Sequence, residues 1–295
     1  MSWCIYNNIA RKQKMLQVHQ HIGDLFDLRM PTVYLYRFKR YMAKYYENMY
    51  EEILAKILKG SVIHVDETPV NLKNDKGYVW VLTSTDLVYY FYRESRSGGF
   101  LKEMLSGFSG VLISDFYTAY DSLDCAHQKC LIHLIRAMND ELLKNPFDSE
   151  FKEVARRFGT VLRSIVSTID VYGPEKKHLK KHKKEVSDFL DSICSEKYTS
   201  EIAKRYQERF RKYRSRLFTF LDYNDVFWNN NNAEHAMHWF ARYRRFSDAL
   251  FTERFLRELL ILLSVFQTCE YKDINVLEFL ISEKNRLRSM VRRPR

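Results

Sequence analysis

Five short stretches between residues 61 and 133 are predicted strands, most of them rich in the β-branched and aromatic residues that favour strands, and their order limits the possible folds. They are, in order, SVIHVDET (61–68), GYVWVLTS (77–84), LVYYFY (87–92), GVLISD (110–115) and AHQKCLIH (126–133). A tight turn at Thr85 and Asp86 predicts a hairpin between the second and third. GVLISD is continuously apolar, as buried parallel strands are. Helical segments, SGGFLKEML and LIRAMNDELLK, follow the third and fifth strands.

The predicted order places three antiparallel strands before parallel ones. We therefore predict an α/β protein with a ribonuclease H-like mixed five-stranded sheet and flanking helices. The chain divides into a helical N-terminal segment (1–59), a first core part (60–144), a basic helical insertion (145–225), C-terminal core helices (226–283) and a basic tail (284–295). In the first segment, MLQVHQHIGDLFDL and the helix after Pro31 are interpreted as a plain amphipathic pair or as a helix-turn-helix pair.

The charge balance indicates a polyanionic partner. The chain has 48 Lys and Arg residues and 37 Asp and Glu residues, which gives a net charge of +11 and a pI near 9.3. A basic surplus of this size favours nucleic acid over a membrane surface as the partner. The longest apolar run, LLILLSVF (259–266), is too short to span a bilayer. Five cysteines, an odd number in a long chain, indicate a reduced, cytosolic protein.

Two aspartates stand at informative places in the predicted sheet. Asp66 lies in an otherwise apolar, β-branched strand, and Asp115 closes the fourth strand. In a ribonuclease H-like sheet these two strands are parallel neighbours, so both carboxylates are expected to point at one site. Repulsion between close carboxylates is relieved by a cation, and oxygen ligands suit Mg²⁺. Taken singly, each acid is also compatible with a turn or an ion pair.

A third acid, Glu234, lies in the stretch WNNNNAEHAMHWFARYRRF (228–246). Asn232 is a good N-cap, and Ala233, Ala236, Met237 and Phe240 follow at the spacing of one buried helix face. Glu234 is then either a helix-start residue stabilised by the helix dipole or a third metal ligand. The aromatic and basic residues after it are predicted to hold DNA.

Three basic sets are predicted to contact DNA. For the first, which is rich in lysine, a solvated helix face is the alternative interpretation. The lysine-rich set is Lys176, Lys177, Lys180, Lys181, Lys183 and Lys184. The arginine-rich set is Arg209, Arg211, Lys212 and Arg214. The third set follows Glu234 and comprises Trp239, Arg242, Arg244 and Arg245, with Phe240 and Tyr243 between them.

Cys125, His127, Cys130 and His133 have the residue types of a zinc site. On a regular strand Cys125 and His127 share a face while Cys130 points away, so binding one ion by all four requires a bend. Whether they bind zinc is left open.

Several blocks resemble bacterial insertion-sequence transposases of the insertion sequence 66 family, in the Asp-Asp-Glu superfamily. They are HVDETPV, GYVWVLTS, SDFYTAY, CLIHLIRAMNDELLKNPF and NNNNAEHA, and they follow one another in family order. The resemblance as a whole covers the chain from about residue 30 to 283. The resemblance implies that Asp66, Asp115 and Glu234 are the catalytic acids. It also implies a structural or DNA-contacting role for Cys130 and His133. His235 stands where better-known members often have Arg, and their N-terminal cysteine-rich region and coiled coil are not matched, so a shortened or decayed copy is expected. The resemblance further implies a bacterial, cytoplasmic protein associated with the nucleoid.

The function implied is DNA transposition. Two Mg²⁺ ions, or Mn²⁺ in their place, held by Asp66, Asp115 and Glu234, support cutting at the element ends and strand transfer into target DNA. The partners expected are element-end and target DNA, with a homo-oligomer forming on DNA and no membrane. Two alternatives stay open: a structure-selective nuclease on the same fold, and an inactive DNA-binding remnant.

Overall fold

A mixed five-stranded sheet forms the centre of the fold. The computed structural model describes residues 1–247 and 251–291, so the end of the predicted basic tail, 292–295, lies outside the described residues. The strands are β1 (Val62–Asn71), β2 (Lys76–Thr83), β3 (Val88–Arg93), β4 (Val111–Ser114) and β5 (Ala126–Lys129). Their order is β3-β2-β1-β4-β5. The pairs β1–β2 and β2–β3 are antiparallel and β4–β5 is parallel, which confirms the predicted mixed sheet.

Helices make up most of the remaining chain, including the predicted insertion. They are α1 (Ser2–Ile9), α2 (Met15–Phe26), α3 (Val33–Tyr45), α4 (Glu47–Leu58), α5 (Gly99–Met104), α6 (Leu131–Lys144), α7 (Ser149–Tyr172), α8 (Lys176–Leu179), α9 (Lys183–Ser195), α10 (Glu201–Lys212), α11 (Asn231–Ser247), α12 (Glu253–Tyr271) and α13 (Val276–Ile281). Short 3-10 turns join several of them. Within the described ranges, no helix combines the length and apolar character needed to cross a membrane.

The chain separates into two compact units. The first unit comprises Met1–Phe100 and Asn231–Arg295, and the second comprises Leu101–Asn230. The boundaries of the five segments predicted from the sequence stay predictions.

In the first unit, two long helices cover the β1–β3 meander. Helix α11 contacts β1 and β2, and α12 contacts β3 and α3. The predicted buried face of α11 is confirmed, since Ala233, Ala236 and Phe240 are fully buried and Met237 nearly so. The Tyr90 hydroxyl, on β3, donates to the Ala236 carbonyl at 2.6 Å and ties the helix to the meander.

Side-chain hydroxyls satisfy the backbone of β3 on the side away from β2. The Val88 N–H donates to Thr268 Oγ1 at 3.1 Å, and the Tyr90 N–H donates to Ser264 Oγ at 2.9 Å. Thr268 in turn donates to the Val88 carbonyl, and the Tyr50 hydroxyl donates to the Tyr90 carbonyl at 2.7 Å. These contacts fix α12 and α4 along the strand, since buried peptide groups require hydrogen-bond partners.

A fully buried lysine lies between the N-terminal helices and α11. Lys39 Nζ donates to the Tyr243 hydroxyl at 3.2 Å, and that hydroxyl donates to Asn8 Oδ1 at 3.2 Å. The Phe255 ring lies under the ammonium group, 4.1 Å from Nζ to the ring centroid. Burial lowers the pKa of Lys39 to about 7, although Glu258 acts in the opposite direction.

The second unit packs its helices around an aromatic core. Phe158 of α7, Phe189 of α9 and Phe210 of α10 are buried with ring centroids 5.4–6.2 Å apart. Gln128 of β5 joins this helical part to the strands, because its amide donates to the Leu217 carbonyl at 2.8 Å. The insertion is therefore built on the β4–β5 pair of its own unit.

Candidate functional site

Asp66 lies in the middle of β1 and is half-buried. It pairs with Val81 in the antiparallel register, and its Oδ1 accepts the Glu67 N–H at 2.9 Å. Its strand neighbours His64 and Val65 are buried. Both the backbone and the carboxylate of Asp66 are thus held by a rigid element, as a metal ligand requires.

Glu67, the next residue, has a structural role. Its Oε1 accepts from Nε and Nη2 of Arg96 at 2.8 and 2.6 Å, and its side chain is only 2% exposed. The two adjacent acids of β1 therefore have different surroundings. Glu67 anchors the segment after β3, and Asp66 is left as the candidate ligand of this strand.

Glu234 lies in the first turn of α11, where the helix dipole favours a negative charge. The helix begins at Asn231, so the prediction that Asn232 is the N-cap is wrong. Asn232 is instead inside the first turn, where its amide donates to the Ser84 carbonyl at 3.0 Å. The Tyr271 hydroxyl donates to the Asn232 carbonyl at 2.7 Å. These contacts fix the helix start and hence the half-buried Glu234.

Asp115, in the second unit, is the first residue after β4 and is half-buried. Its Oδ1 accepts the Tyr117 N–H at 2.9 Å, a short-range turn that orients the carboxylate. Its backbone carbonyl accepts from Lys129 Nζ at 3.0 Å. A buried ammonium on β5 thus fixes the end of β4.

Lys129 is the residue that the sequence analysis missed. It is fully buried and also binds Ser114 Oγ at 3.3 Å and Asp121 Oδ1 at 3.0 Å, while Arg216 binds the same Asp121 oxygen at 2.8 Å. Burial lowers the pKa of Lys129, and Asp121 partly restores it. Burial raises the pKa of Asp121, but Lys129 and Arg216 outweigh it and hold that pKa low. The only sequence signal is a lysine inside a predicted buried strand.

The cysteine and histidine cluster takes a different form from the one predicted. Strand β5 ends at Lys129, so the prediction of a strand through His133 is wrong: Cys130 caps α6 and His133 lies in its first turn. Cys130 is fully buried, and its Sγ accepts the Asn230 N–H at 3.2 Å. His127 is buried with Nε2 bonded to the Leu123 carbonyl at 2.9 Å, and burial lowers its pKa.

Zinc binding by all four of these residues is not supported by their positions. In the part of the chain that is described, no three of Cys125, His127, Cys130 and His133 bring their ligand atoms within 4.8 Å of one another. The contact between Cys130 and Asn230 joins the start of α6 to the chain before α11. The structural or DNA-contacting role suggested for Cys130 and His133 stays a prediction.

The six lysines of the lysine-rich set lie between the start of α8 and the start of α9, and all of them are exposed. Two are paired: Lys177 with Glu175 at 2.6 Å, and Lys183 with Asp222. Among the described residues, the other four have no carboxylate within 4.0 Å. They are Lys176, Lys180, Lys181 and Lys184.

Buried contacts hold this lysine-bearing surface in place. Leu179 is fully buried, and His182 is 6% exposed. The His182 ring bonds Thr168 Oγ1 at 2.8 Å through Nε2 and Glu185 Oε2 at 3.0 Å through Nδ1. The lysines therefore project from a fixed backbone and form an ordered positive surface.

The arginine-rich set is more engaged with its own unit. Arg211 bonds the Glu208 carboxylate, and Arg214 bonds Asp191 at 2.8 Å. Their charges are partly neutralised by these partners, so their contribution to DNA binding is expected to be smaller than that of the unpaired lysines.

The other two members of this set lie against aromatic rings. The guanidinium of the half-buried Arg209 is 4.0 Å from the centroid of Phe116, the residue after Asp115. Lys212 Nζ lies 4.9 Å from the Tyr213 ring, and its side chain is exposed. Arg209 packs beside the chain segment that carries Asp115.

The aromatic residues after Glu234 do not form the DNA-stacking surface predicted for them. Trp239 is only 8% exposed: its ring stacks on Tyr243, with centroids 6.1 Å apart, and Lys12 Nζ lies 4.3 Å from its centroid. Phe240 and Tyr243 are also buried. The prediction for Trp239 is corrected, because a face already covered by a ring and an ammonium group offers no surface to a base.

The arginines of the same helix have two different environments. Arg242 and Arg245 are exposed. Arg244 is half-buried and donates to the Pro69 carbonyl at the end of β1. Arg242 and Arg245 are accessible to phosphates, whereas Arg244 also ties α11 to the strand that carries Asp66.

Comparison with known proteins identifies the group to which this chain is similar. The family model described as "Transposase IS66 family" matches residues 1–257, most of the chain and all three candidate acids. A search of curated proteins finds no match.

Proposed function

Because the chain belongs to the transposase IS66 family, we propose that it cuts DNA at the ends of a mobile element and joins the freed ends to target DNA. The family implies interaction with DNA. The observation that supports this activity best is the placement of the three acids. Asp66, Asp115 and Glu234 are each half-buried, and hydrogen bonds fix the backbone that carries or flanks each of them.

The donor chemistry fits a hard divalent cation. All three side chains offer carboxylate oxygens, and Asp115 uses one of its two oxygens for the Tyr117 N–H, so the other is left for a ligand. We propose that Asp66, Asp115 and Glu234 together hold two Mg²⁺, or Mn²⁺. The bound ions would stabilise the developing charge and activate the attacking oxygen.

The reaction proposed has two displacement steps. In the first, a water oxygen bonds to the phosphorus at the element end, the bond from phosphorus to the 3′ oxygen breaks, and a 3′-OH is released. In the second, that 3′-OH attacks a target phosphodiester and displaces its 3′ oxygen. No bond between protein and DNA forms, so none of the tyrosines acts as a nucleophile.

The chain's own residues would position the DNA for both steps. The four unpaired lysines, together with Arg242 and Arg245, are proposed to contact phosphates, and each lost contact should reduce the salt slope of binding by about one. Lys129 keeps the backbone of Asp115 in place. We also propose that copies of the chain assemble on the DNA.

The test is a cleavage and joining assay with purified protein, Mg²⁺ and labelled element-end DNA, both intact and pre-cut with a free 3′-OH. Asp66→Asn, Asp115→Asn and Glu234→Gln should each abolish cleavage while binding to DNA persists. Glu67→Gln is the matched control, because it removes the adjacent acid of β1 that binds Arg96, and it should still cleave.

Each alternative predicts a different product. Cleavage without any joined product from pre-cut ends would identify a nuclease. Binding without cleavage under every metal condition would identify an inactive remnant. Near-normal cleavage by Glu234→Gln would show that Glu234 is only a helix-start residue and that the third ligand lies elsewhere.

A further inference from the structure

Helix α3 presents an exposed row of alternating aromatic and basic side chains. The row, here called the α3 stripe, comprises Tyr34, Arg37, Tyr41 and Lys44. Their spacing of three, four and three residues places them along one face of the helix. The other side of α3 faces the core, where Leu35 and Met42 are buried.

The two tyrosines of the α3 stripe are unusually open. Tyr34 is 43% exposed and Tyr41 is 59% exposed. The Arg37 guanidinium lies 5.2 Å from the centroid of the Tyr34 ring, and Tyr41 stacks on Tyr45 with ring planes 15° apart. Such contacts hold the rings in place while leaving a large part of each accessible, as a binding surface for another flat, electron-rich group requires.

All charged residues of helix α3 are basic: it has four basic residues and no acid. Lys39 is buried, and Arg40 pairs with Glu258 at 3.3 Å. Among the described residues, Arg37 and Lys44 have no carboxylate within 4.0 Å. The two unpaired charges therefore belong to the same row as the two exposed rings.

We propose that the α3 stripe binds single-stranded DNA. Tyrosine rings stack on unpaired bases, whereas a duplex hides its base faces inside the helix, and the basic residues between the rings suit the adjacent phosphates. Tyr34 and Tyr41 are seven residues apart, roughly 10 Å along the helix axis, which is about three base steps at 3.4 Å each. This inference rests on the DNA partner of the proposed function and adds a strand preference to it.

A second copy of the chain fits the stripe less well. A symmetric dimer contact places the same patch of both copies face to face, so Arg37 and Lys44 would meet like charges. A polyanion would neutralise these charges. A DNA duplex would place its phosphates near them but would leave the exposed tyrosine rings without stacking partners. Charge and ring exposure together therefore favour the single strand.

The experiment measures fluorescence anisotropy of a labelled thymidine oligonucleotide and of a labelled hairpin duplex with the full chain in EDTA. Tyr34→Ala and Tyr41→Ala should each weaken binding to the oligonucleotide about tenfold, and change duplex binding less than about twofold. Tyr34→Phe and Tyr41→Phe keep the ring and should bind the oligonucleotide normally. Tyr36→Ala is the matched control: Tyr36 lies on the same helix, 46% exposed, but packs near Phe255 outside the stripe.

Two outcomes would overturn the inference. Equal losses on oligonucleotide and duplex would show that the rings do not select a single strand. Unchanged affinities, with a changed molecular mass in size-exclusion chromatography, would show that a second copy covers the stripe. EDTA prevents cleavage, so a chain that binds single strands through Tyr34 and Tyr41 but never cuts DNA in Mg²⁺ supports this inference while refuting the proposed function.

Discussion

Lys39 in the first unit and Lys129 in the second are both fully buried, but the two units surround them differently. Lys129 has a carboxylate, Asp121, at 3.0 Å and also bonds the Asp115 carbonyl. Lys39 contacts a tyrosine hydroxyl and an aromatic ring. The carboxylate of Glu258 partly offsets the lowering of its pKa but makes no direct ion pair with it in the described part of the chain. Equal burial therefore does not give these two lysines equal roles.

The difference appears in how strongly each site supports a positive charge. Burial lowers the pKa of both lysines, because it penalises the charged form. For Lys129, Asp121 counteracts that penalty, and the cation links two strand ends. For Lys39 the pKa falls to about 7, so the side chain is neutral over much of the alkaline range. Lys129 is therefore part of a buried ion pair, whereas Lys39 makes a polar contact within an aromatic core.

The largest effect is expected when Lys129 loses its carboxylate partner. Asp121→Asn should lower the free energy of unfolding by about 3–5 kcal/mol, because it leaves a buried charge without its partner. Glu258→Gln, the matched change near Lys39, should cost less than about 1 kcal/mol, since its ion pairs with Arg40 and Arg254 are near the surface. Urea unfolding measures both. Equal losses would contradict the distinction.

Replacing each lysine by methionine should have effects of opposite sign. Lys129→Met should destabilise the fold by about 2 kcal/mol, because Asp121, Ser114 and the Asp115 carbonyl all lose a donor. Lys39→Met should stabilise it by about 2 kcal/mol at pH 6, because a charged group no longer has to be buried. The same shift in urea midpoint for both variants would refute the comparison.

The pH dependence of stability should distinguish the same two sites. Lys39 titrates near 7 when folded, compared with its ordinary value of 10.5, so the unfolded chain binds more protons between these values. Its contribution to the free energy of unfolding therefore rises with pH from about 7 to about 10.5, and the full penalty is present below pH 7. Lys39→Met should remove this rise, measured as the difference from wild type at each pH. A constant difference would contradict it.

The smallest of these effects is the coupling between Lys39 and the hydroxyl of Tyr243 that binds it. Tyr243→Phe should cost about 1 kcal/mol, because Asn8 and Lys39 both lose a hydrogen-bond partner. In a Lys39→Met background the same change should cost less, and a double-mutant cycle measures the coupling. Full additivity would show that the contact between the ammonium and the hydroxyl contributes nothing.

The strands of this fold were predictable from sequence because each carries a local signal. β-branched and aromatic runs marked β1 to β4, and the helical spacing of Ala233, Ala236 and Phe240 marked the buried face of α11. The end of β5 was mispredicted because CLIH is apolar enough for either a strand or a helix. Only the tertiary structure decides that Cys130 caps a helix there.

The candidate site was less accessible to sequence reasoning. Acids inside apolar runs drew attention to Asp66 and Asp115, but nothing local showed that Lys129 bonds the Asp115 carbonyl across a strand pair. The prediction for Trp239 failed for a different reason. An aromatic residue among arginines has the same sequence pattern whether it is exposed or, as here, buried. The sequence pattern identifies residue types, but whether a side chain is exposed enough to bind a ligand depends on packing.

The hydroxyl contacts along β3 have a consequence for how copies of this protein meet. An outer strand with open peptide groups is a template for strand addition, by a neighbour in an oligomer or by an aggregating chain. At Val88 and Tyr90 the positions a foreign strand would bond are occupied by Thr268, Ser264 and Tyr50. These contacts therefore protect the β3 edge of the sheet against edge-to-edge aggregation at these residues.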